Sequence, residues 1–199
     1  MERDAALEVA AKLFWQYGYE GTSIADLTKA MGVTPPSLYA AFGSKEELYR
    51  QAVDFQVDRQ SKARSEALRK EPSAYRAVSF YLHDFAYRCS DPDTPRGCMI
   101  STAVLQHAKE NEPAARIVAA RRETAIQEIK TRFDRAVAEG ELPPETDTDA
   151  LARFFAAVVQ GMSAQACDGA GEAVLQRLAD IALAAWPGHR PVAETPPCS

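Results

Sequence analysis

The stretch from Thr22 to Tyr49, TSIADLTKAMGVTPPSLYAAFGSKEELY, constrains the fold of this chain more than any other. Thr22 and Ser23 are helix N-capping residues, and Ile24, Leu27 and Met31 follow at the i, i+3, i+7 spacing of one buried stripe. Gly32 stops that helix where a left-handed backbone is needed. Thr34 can cap the next helix, with Pro35 in its first turn, where a missing N–H costs nothing. This second helix ends near Phe42 after barely two turns, too short to persist alone in water. Packing through Leu38 and Phe42, at i and i+4, must therefore hold it, and its outer face is left free. Ser44 and Glu47 read as a capping box that opens a longer helix.

Two short helices joined by a tight, glycine-containing turn form the arrangement that seats a recognition helix in the major groove of DNA. The wider pattern is more specific. Ala11, Phe14, Gly18, Tyr19, Thr22, Ile24, Leu27, Ala30, Gly32, Val33, Ser37, Leu38, Tyr39, Phe42, Lys45, Leu48 and Tyr49 together resemble the N-terminal domain of TetR/AcrR-family transcriptional regulators. The likeness covers residues 4 to about 50; beyond it only the general layout is similar. The resemblance implies an all-α fold of about nine helices, with a helix-turn-helix domain over residues 1–46 and a helical effector-binding and dimerisation domain over 47–187. The Pro-rich end, residues 188–199 with Cys198, reads as a disordered tail.

The resemblance also assigns roles. Thr22 and Ser23 would meet phosphate at the start of the second helix, and Lys45 at the start of the fourth. Thr34 and Ser37 can hydrogen-bond phosphate or base edges, Pro36 or Ala40 can touch a thymine methyl, and Tyr39 can donate its hydroxyl to phosphate or pack between helices. Pro35, Ala40 and Ala41 stand where many relatives carry basic or His residues, so base readout is expected to be sparse and DNA shape to matter more. Charge agrees with sparse contacts. The chain carries a net charge of -5, and its first fifty residues hold five basic against seven acidic side chains. Phosphate contacts must then be local, through helix-start N–H groups, hydroxyls and a few lysines. The chain begins almost at its first helix, which leaves no basic arm for the minor groove unless the true start lies upstream.

The remainder reads as a long helix from Lys45 to about Lys70, then helices over 73–89, 98–109, 113–139 and 147–167, and a last one carrying Val174, Leu178, Ile181 and Trp186. Small residues in the last two (Ala156, Ala157, Gly161, Ala164, Ala179, Ala182) permit close helix approach, and the resemblance makes this pair a homodimer interface. A small, mostly apolar effector is expected between the long fourth helix and those after it. Its candidate lining is Phe80, Tyr81, His83, Asp84, Phe85, Tyr87, Met99, Phe133, Phe154 and Gln160. The implied mechanism is derepression, with the fourth helix as a rigid lever.

Other classes are weaker. The sequence lacks G-x-S-x-G, H-E-x-x-H and a phosphate-binding Gly loop, and its histidines (His83, His107, His189) are scattered, so no catalysis and no cofactor are expected. The cysteines Cys89, Cys98, Cys167 and Cys198 show no C-x-x-C spacing and no metal-ligand pattern. Two alternatives stay open: a helical ligand-binding or interaction protein that has lost DNA binding, and a redox-responsive repressor using Cys89 and Cys98. No apolar run approaches the roughly 20 residues that span a bilayer, and the N-terminus is too charged for a signal peptide, so no membrane partner and a cytoplasmic location are expected.

Overall fold

Helix-forming sequence dominates the chain, and a computed structural model describes residues 2–187 as eight α-helices without strands. They are α1 (Arg3–Gly21), α2 (Ile24–Met31), α3 (Pro35–Phe42), α4 (Lys45–Lys70), α5 (Ala74–Cys89), α6 (Glu112–Ala138), α7 (Thr148–Cys167) and α8 (Glu172–Leu183). A single 3₁₀ turn, Lys109–Asn111, precedes α6. No described helix is long and apolar enough to cross a membrane. The expected tail, with His189 and Cys198, lies outside the described residues.

The caps form as local chemistry dictates. Ser23 Oγ accepts from the amide of Asp26, and the Asp26 carboxylate accepts in return from the Ser23 amide at 2.9 Å. Gly32 takes φ 66°, and the backbone reversal behind it is closed by the Val33 amide donating to Thr28 O. Thr34 and Ser44 cap α3 and α4 through the amides of Ser37 and Glu47. The Ser44 box is only half made, because the Glu47 carboxylate turns to Arg50 and Gln51 instead.

Two apolar clusters share the molecule. One joins α1 to α4, with Phe14, Leu27, Leu38, Leu48 and Val53 buried; the rings of Phe14, Tyr19 and Tyr49 lie against one another. The other joins α4 to α8 around Leu82, Phe133, Phe155 and Trp186. A boundary at residue 46 falls beside the start of α4, yet the first cluster also draws in Met99, Ala114 and Val118 from the second half. The helix-turn-helix unit therefore rests on the other domain rather than hanging from it by α4 alone.

The connection between α4 and α5 shows how one partly buried carboxylate organises a corner. Glu141, after α6, accepts from the amides of Ala74 (2.6 Å) and Tyr75 (3.0 Å) and from Ser73 Oγ, and so caps α5 from 67 residues away. Arg132, with its side chain fully buried, donates to Pro72 O at 2.6 Å and lies 3.4 Å from the same carboxylate. Burial alone would push the Glu141 carboxyl up. The amides of Tyr75 and Ala74, the Ser73 hydroxyl and Arg132 outweigh that and hold it below the usual carboxylate range.

One expected helix is absent. Residues 98–108 run as turns, with Val104 at φ 50°, instead of a helix over 98–109. Competing hydrogen bonds explain this. Arg122 takes the carbonyls of Ile100 and Ala103 at 2.9 and 3.0 Å, which a helix would pair within itself, and Ser163 Oγ accepts from the Cys98 amide and ties the start of the segment to α7. Gly97 enters this segment at φ 78° against α7; a Cβ there would sit 2.5 Å from Cys167 Sγ and 3.0 Å from Ser163 O.

Candidate DNA-reading surface and effector cavity

Position along α3 decides which side chains meet solvent. Leu38 and Phe42 are buried, whereas Thr34, Pro35, Pro36, Ser37, Tyr39 and Ala40 all face outward. The Thr34 and Ser37 hydroxyls are 2.9 Å apart, so the two already share one hydrogen bond and present the rest of their capacity to solvent. Tyr39 is 46% exposed, which leaves its ring unpacked at the surface.

The flanking residues differ. Thr22 has no exposed surface; its hydroxyl donates to Gly18 O at 2.7 Å and ties the end of α1 to the start of α2. Its side chain is thus withdrawn from any phosphate, and the exposed member of that pair is Ser23. Lys45 holds its ammonium 4.3 Å from the centre of the Tyr19 ring, at the edge of the aromatic cluster. Partial burial lowers its pKa, opposed by the nearby Glu20 carboxylate. Arg3 reaches across from α1 to Ala41 O, 3.3 Å, and stacks over Phe42.

Behind this domain, α4, α5, α6 and α7 enclose a cavity of about 120 Å³. Its apolar wall includes Val57, Tyr81, Phe85, Ile129 and Val159; its polar wall includes Ser61, Arg64, Arg121, Arg122, Glu128 and Gln160. Cys98, Ile100 and Ser101 from the non-helical segment close one side. Of the residues expected from sequence, the structure brings Tyr81, Phe85 and Gln160 to this cavity. The rest lie elsewhere. Phe133 is fully buried against Phe155 and Trp186, and Met99 is spent in the N-terminal cluster. Phe80, Tyr87 and Phe154 point to the surface. His83 is bound by Gln176 on α8, and Asp84 sits behind the cavity as the ion-pair partner of Arg64 (2.8 Å) and Arg88 (2.9 Å).

Composition conceals these side chains, because the aromatic residues of this half are mostly core or surface and arginines in long helices resemble solvated ones. The signal was spacing. Val57, Ser61, Arg64 and Leu68 share one stripe of α4, and Val118, Arg122, Ala125 and Ile129 share one of α6.

The outer faces of the last two helices carry matching stripes. Phe154, Ala157, Gly161 and Ala164 are exposed along α7; Val174 and Ile181 are exposed along α8, with Ala185 just beyond its end, and Ile181 is 69% open to solvent. Ala179 and Ala182, expected on that face, are instead buried within the subunit. Cys89, Cys98 and Cys167 are all free thiols near Gly97, whose amide donates to Cys89 O. Burial pushes the Cys89 thiol far up, which disfavours its thiolate. No group of side chains able to hold a metal occurs among the described residues.

Comparison with known proteins agrees with this layout. The sequence profile of the tetR family of bacterial regulatory proteins matches residues 6–52, and that of the tetracyclin repressor-like C-terminal domain matches residues 76–179. HTH-type transcriptional repressor ComR of Escherichia coli (strain K12) is 36% identical over 187 residues, 94% of this chain and 89% of its own length. HTH-type transcriptional repressor BdcR of the same organism is 30% identical, covering 83% of this chain and 79% of its own. Among solved structures, a cysteine mutant of the TetR family regulator CifR, complexed with 26bp double-strand operator DNA, is 40% identical with a TM-score of 0.91, covering 94% of this chain and 98% of that one. These are transcriptional regulators and not enzymes. Matched in both halves and along most of its relatives' length, the chain belongs to the TetR family of bacterial regulatory proteins.

Proposed function

We propose that this protein is a one-component transcriptional repressor that binds a palindromic operator as a homodimer and is released by a small effector in the cavity between α4 and α7. The observation that carries the reading is the division of α3: two apolar side chains anchor it, and every polar or methyl-bearing candidate contact faces out. Ser23, Thr34, Ser37, Tyr39 and Lys45 then hold phosphate, while Pro36 and Ala40 contact base methyls. Lys45 must leave the Tyr19 ring to do so, an exchange of a cation–π contact for a charge-assisted hydrogen bond.

Pairing through the exposed stripes of α7 and α8 supplies the second recognition helix, and two half-sites about one helical turn apart follow from the two-fold axis. Derepression needs an effector that prefers the non-binding form; inverting a 99:1 population takes about 10⁴-fold differential affinity. Two routes from cavity to DNA support that coupling. One is α4 itself, which lines the cavity at Val57 to Ser65 and opens at Lys45. The other is the 98–108 segment, in which Ile100 lines the cavity and Met99 packs under the DNA-binding domain. Repression acts in the cytoplasm, where the operator lies.

A gel-shift titration against the chain's own upstream intergenic DNA, with nonspecific competitor and at two salt concentrations, tests the reading. Binding that survives competitor and weakens with salt is expected, and Tyr39→Ala should weaken it on any sequence. Binding no tighter than to competitor would favour a ligand-binding protein without operator recognition.

A further inference from the structure

The charges around the cavity do not suit a neutral effector. Three arginines reach its wall, Arg64 from α4 and Arg121 and Arg122 from α6, against one carboxylate, Glu128. Arg121 is paired with Asp54, and Glu128 keeps its charge while accepting from Ser65 Oγ at 2.8 Å. Arg64 is only 6% exposed and gives one nitrogen to Asp84, a carboxylate it shares with Arg88. Its guanidinium lies 5.6 and 5.7 Å from the centres of the Tyr81 and Phe85 rings, and its Nε–H is buried with no hydrogen-bond acceptor. Arg122 is bonded to the carbonyls of Ile100 and Ala103 but forms no ion pair with a carboxylate among the described residues. A buried donor without an acceptor and a cation without a counter-charge, in the wall of one cavity, are both unfavourable until an anion arrives.

We propose that the effector is a small organic carboxylate, its anionic group taken by Arg122 and the free Nε–H of Arg64 and its compact apolar body lying against Tyr81, Phe85, Ile129 and Val159. This rests on the reading of the cavity as the effector site and narrows it to a ligand class. Size limits the body. A cavity of about 120 Å³ is on the scale of one aromatic ring, since a dry engineered cavity of roughly 150 Å³ binds benzene. The same contact explains how occupancy would be felt, because Arg122 is one of the residues that anchor the 98–108 segment.

Benzoate and benzamide are isosteres that differ in charge, so calorimetric titration of the full-length dimer with each is the test. Benzoate is expected to bind about tenfold more tightly or better, the scale of one charge-assisted contact. Arg122→Gln, which retains an amide donor for the two carbonyls, should reduce that preference to within about twofold. Glu128→Gln, an exposed change, should strengthen benzoate several-fold more than benzamide. Equal or tighter binding of benzamide, a preference that survives Arg122→Gln, or no binding of benzoate at millimolar concentration overturns the proposal. Gel shifts on the same preparations separate the two readings: specific operator binding with no anion preference removes only the carboxylate, and absent operator binding removes only the repressor.

Discussion

Glu141 is the residue whose removal should be felt farthest from its own position. Its carboxylate replaces the missing acceptors at the start of α5 and faces the buried Arg132. Replacing it by Gln leaves amides and a guanidinium short of a negative partner, at a cost of about 1–3 kcal/mol at neutral pH. The sign of the pH dependence follows from the lowered pKa. Stability from the carboxylate is present above its ordinary, unfolded value and is lost as pH falls through the lower folded value. The gap between the native protein and Glu141→Gln should therefore be widest near neutrality and close as pH drops below about 4, measured by urea unfolding at a series of pH values. Little of this was legible in sequence, for Glu141 lies in a loop that reads only as a connection. Arg64 and Arg122 were hidden differently: each falls on an apolar stripe, and only a reading that lets arginine occupy such a stripe would have found them.

Among the elements, α3 depends most on its neighbours. Eight residues cannot hold a helix alone, so the caps of α3 and α4 set the angle of the reading face. Ser44→Ala should cost about 1 kcal/mol of stability, seen as a lower midpoint of thermal unfolding. Thr34→Ala should cost about as much and also weaken operator binding, since its hydroxyl faces outward. The helix-turn-helix was plain in the sequence because every boundary there is set by a local signal: Ser23, Gly32, Thr34 with Pro35, Gly43 and Ser44. The segment 98–108 was not. Its Met, Ile, Ala and Val recur at helical spacing, and the distant Arg122, Ser163 and Glu20, which claim its backbone groups, override that pattern.

At the scale of the whole molecule, the proposed pairing through α7 and α8 makes operator recognition depend on a surface remote from DNA. Ile181→Glu puts a charge in the exposed stripe of α8 and should convert the dimer to a folded monomer, read by light scattering with helical content unchanged. Operator affinity should fall at least about tenfold, because one half-site must then bind alone. The cavity and the DNA-binding domain are also joined through side chains. Arg122 is near enough to Tyr49 to influence its hydroxyl, Tyr49 lies 4.9 Å from Tyr19, and Tyr19 carries Lys45.

The missing helix has a consequence in time. A stretch whose end amides are held by Ser163 and Glu20 instead of a helical ladder opens more readily than the helices on either side, so residues 98–108 should exchange their protons with solvent soonest of the buried backbone. If that stretch is the joint between pocket and DNA domain, filling the pocket should slow its exchange while the middle of α6 keeps its rate. Deuterium uptake followed with and without benzoate would then display the signal as a change of tempo in eleven residues, before any change of shape is visible.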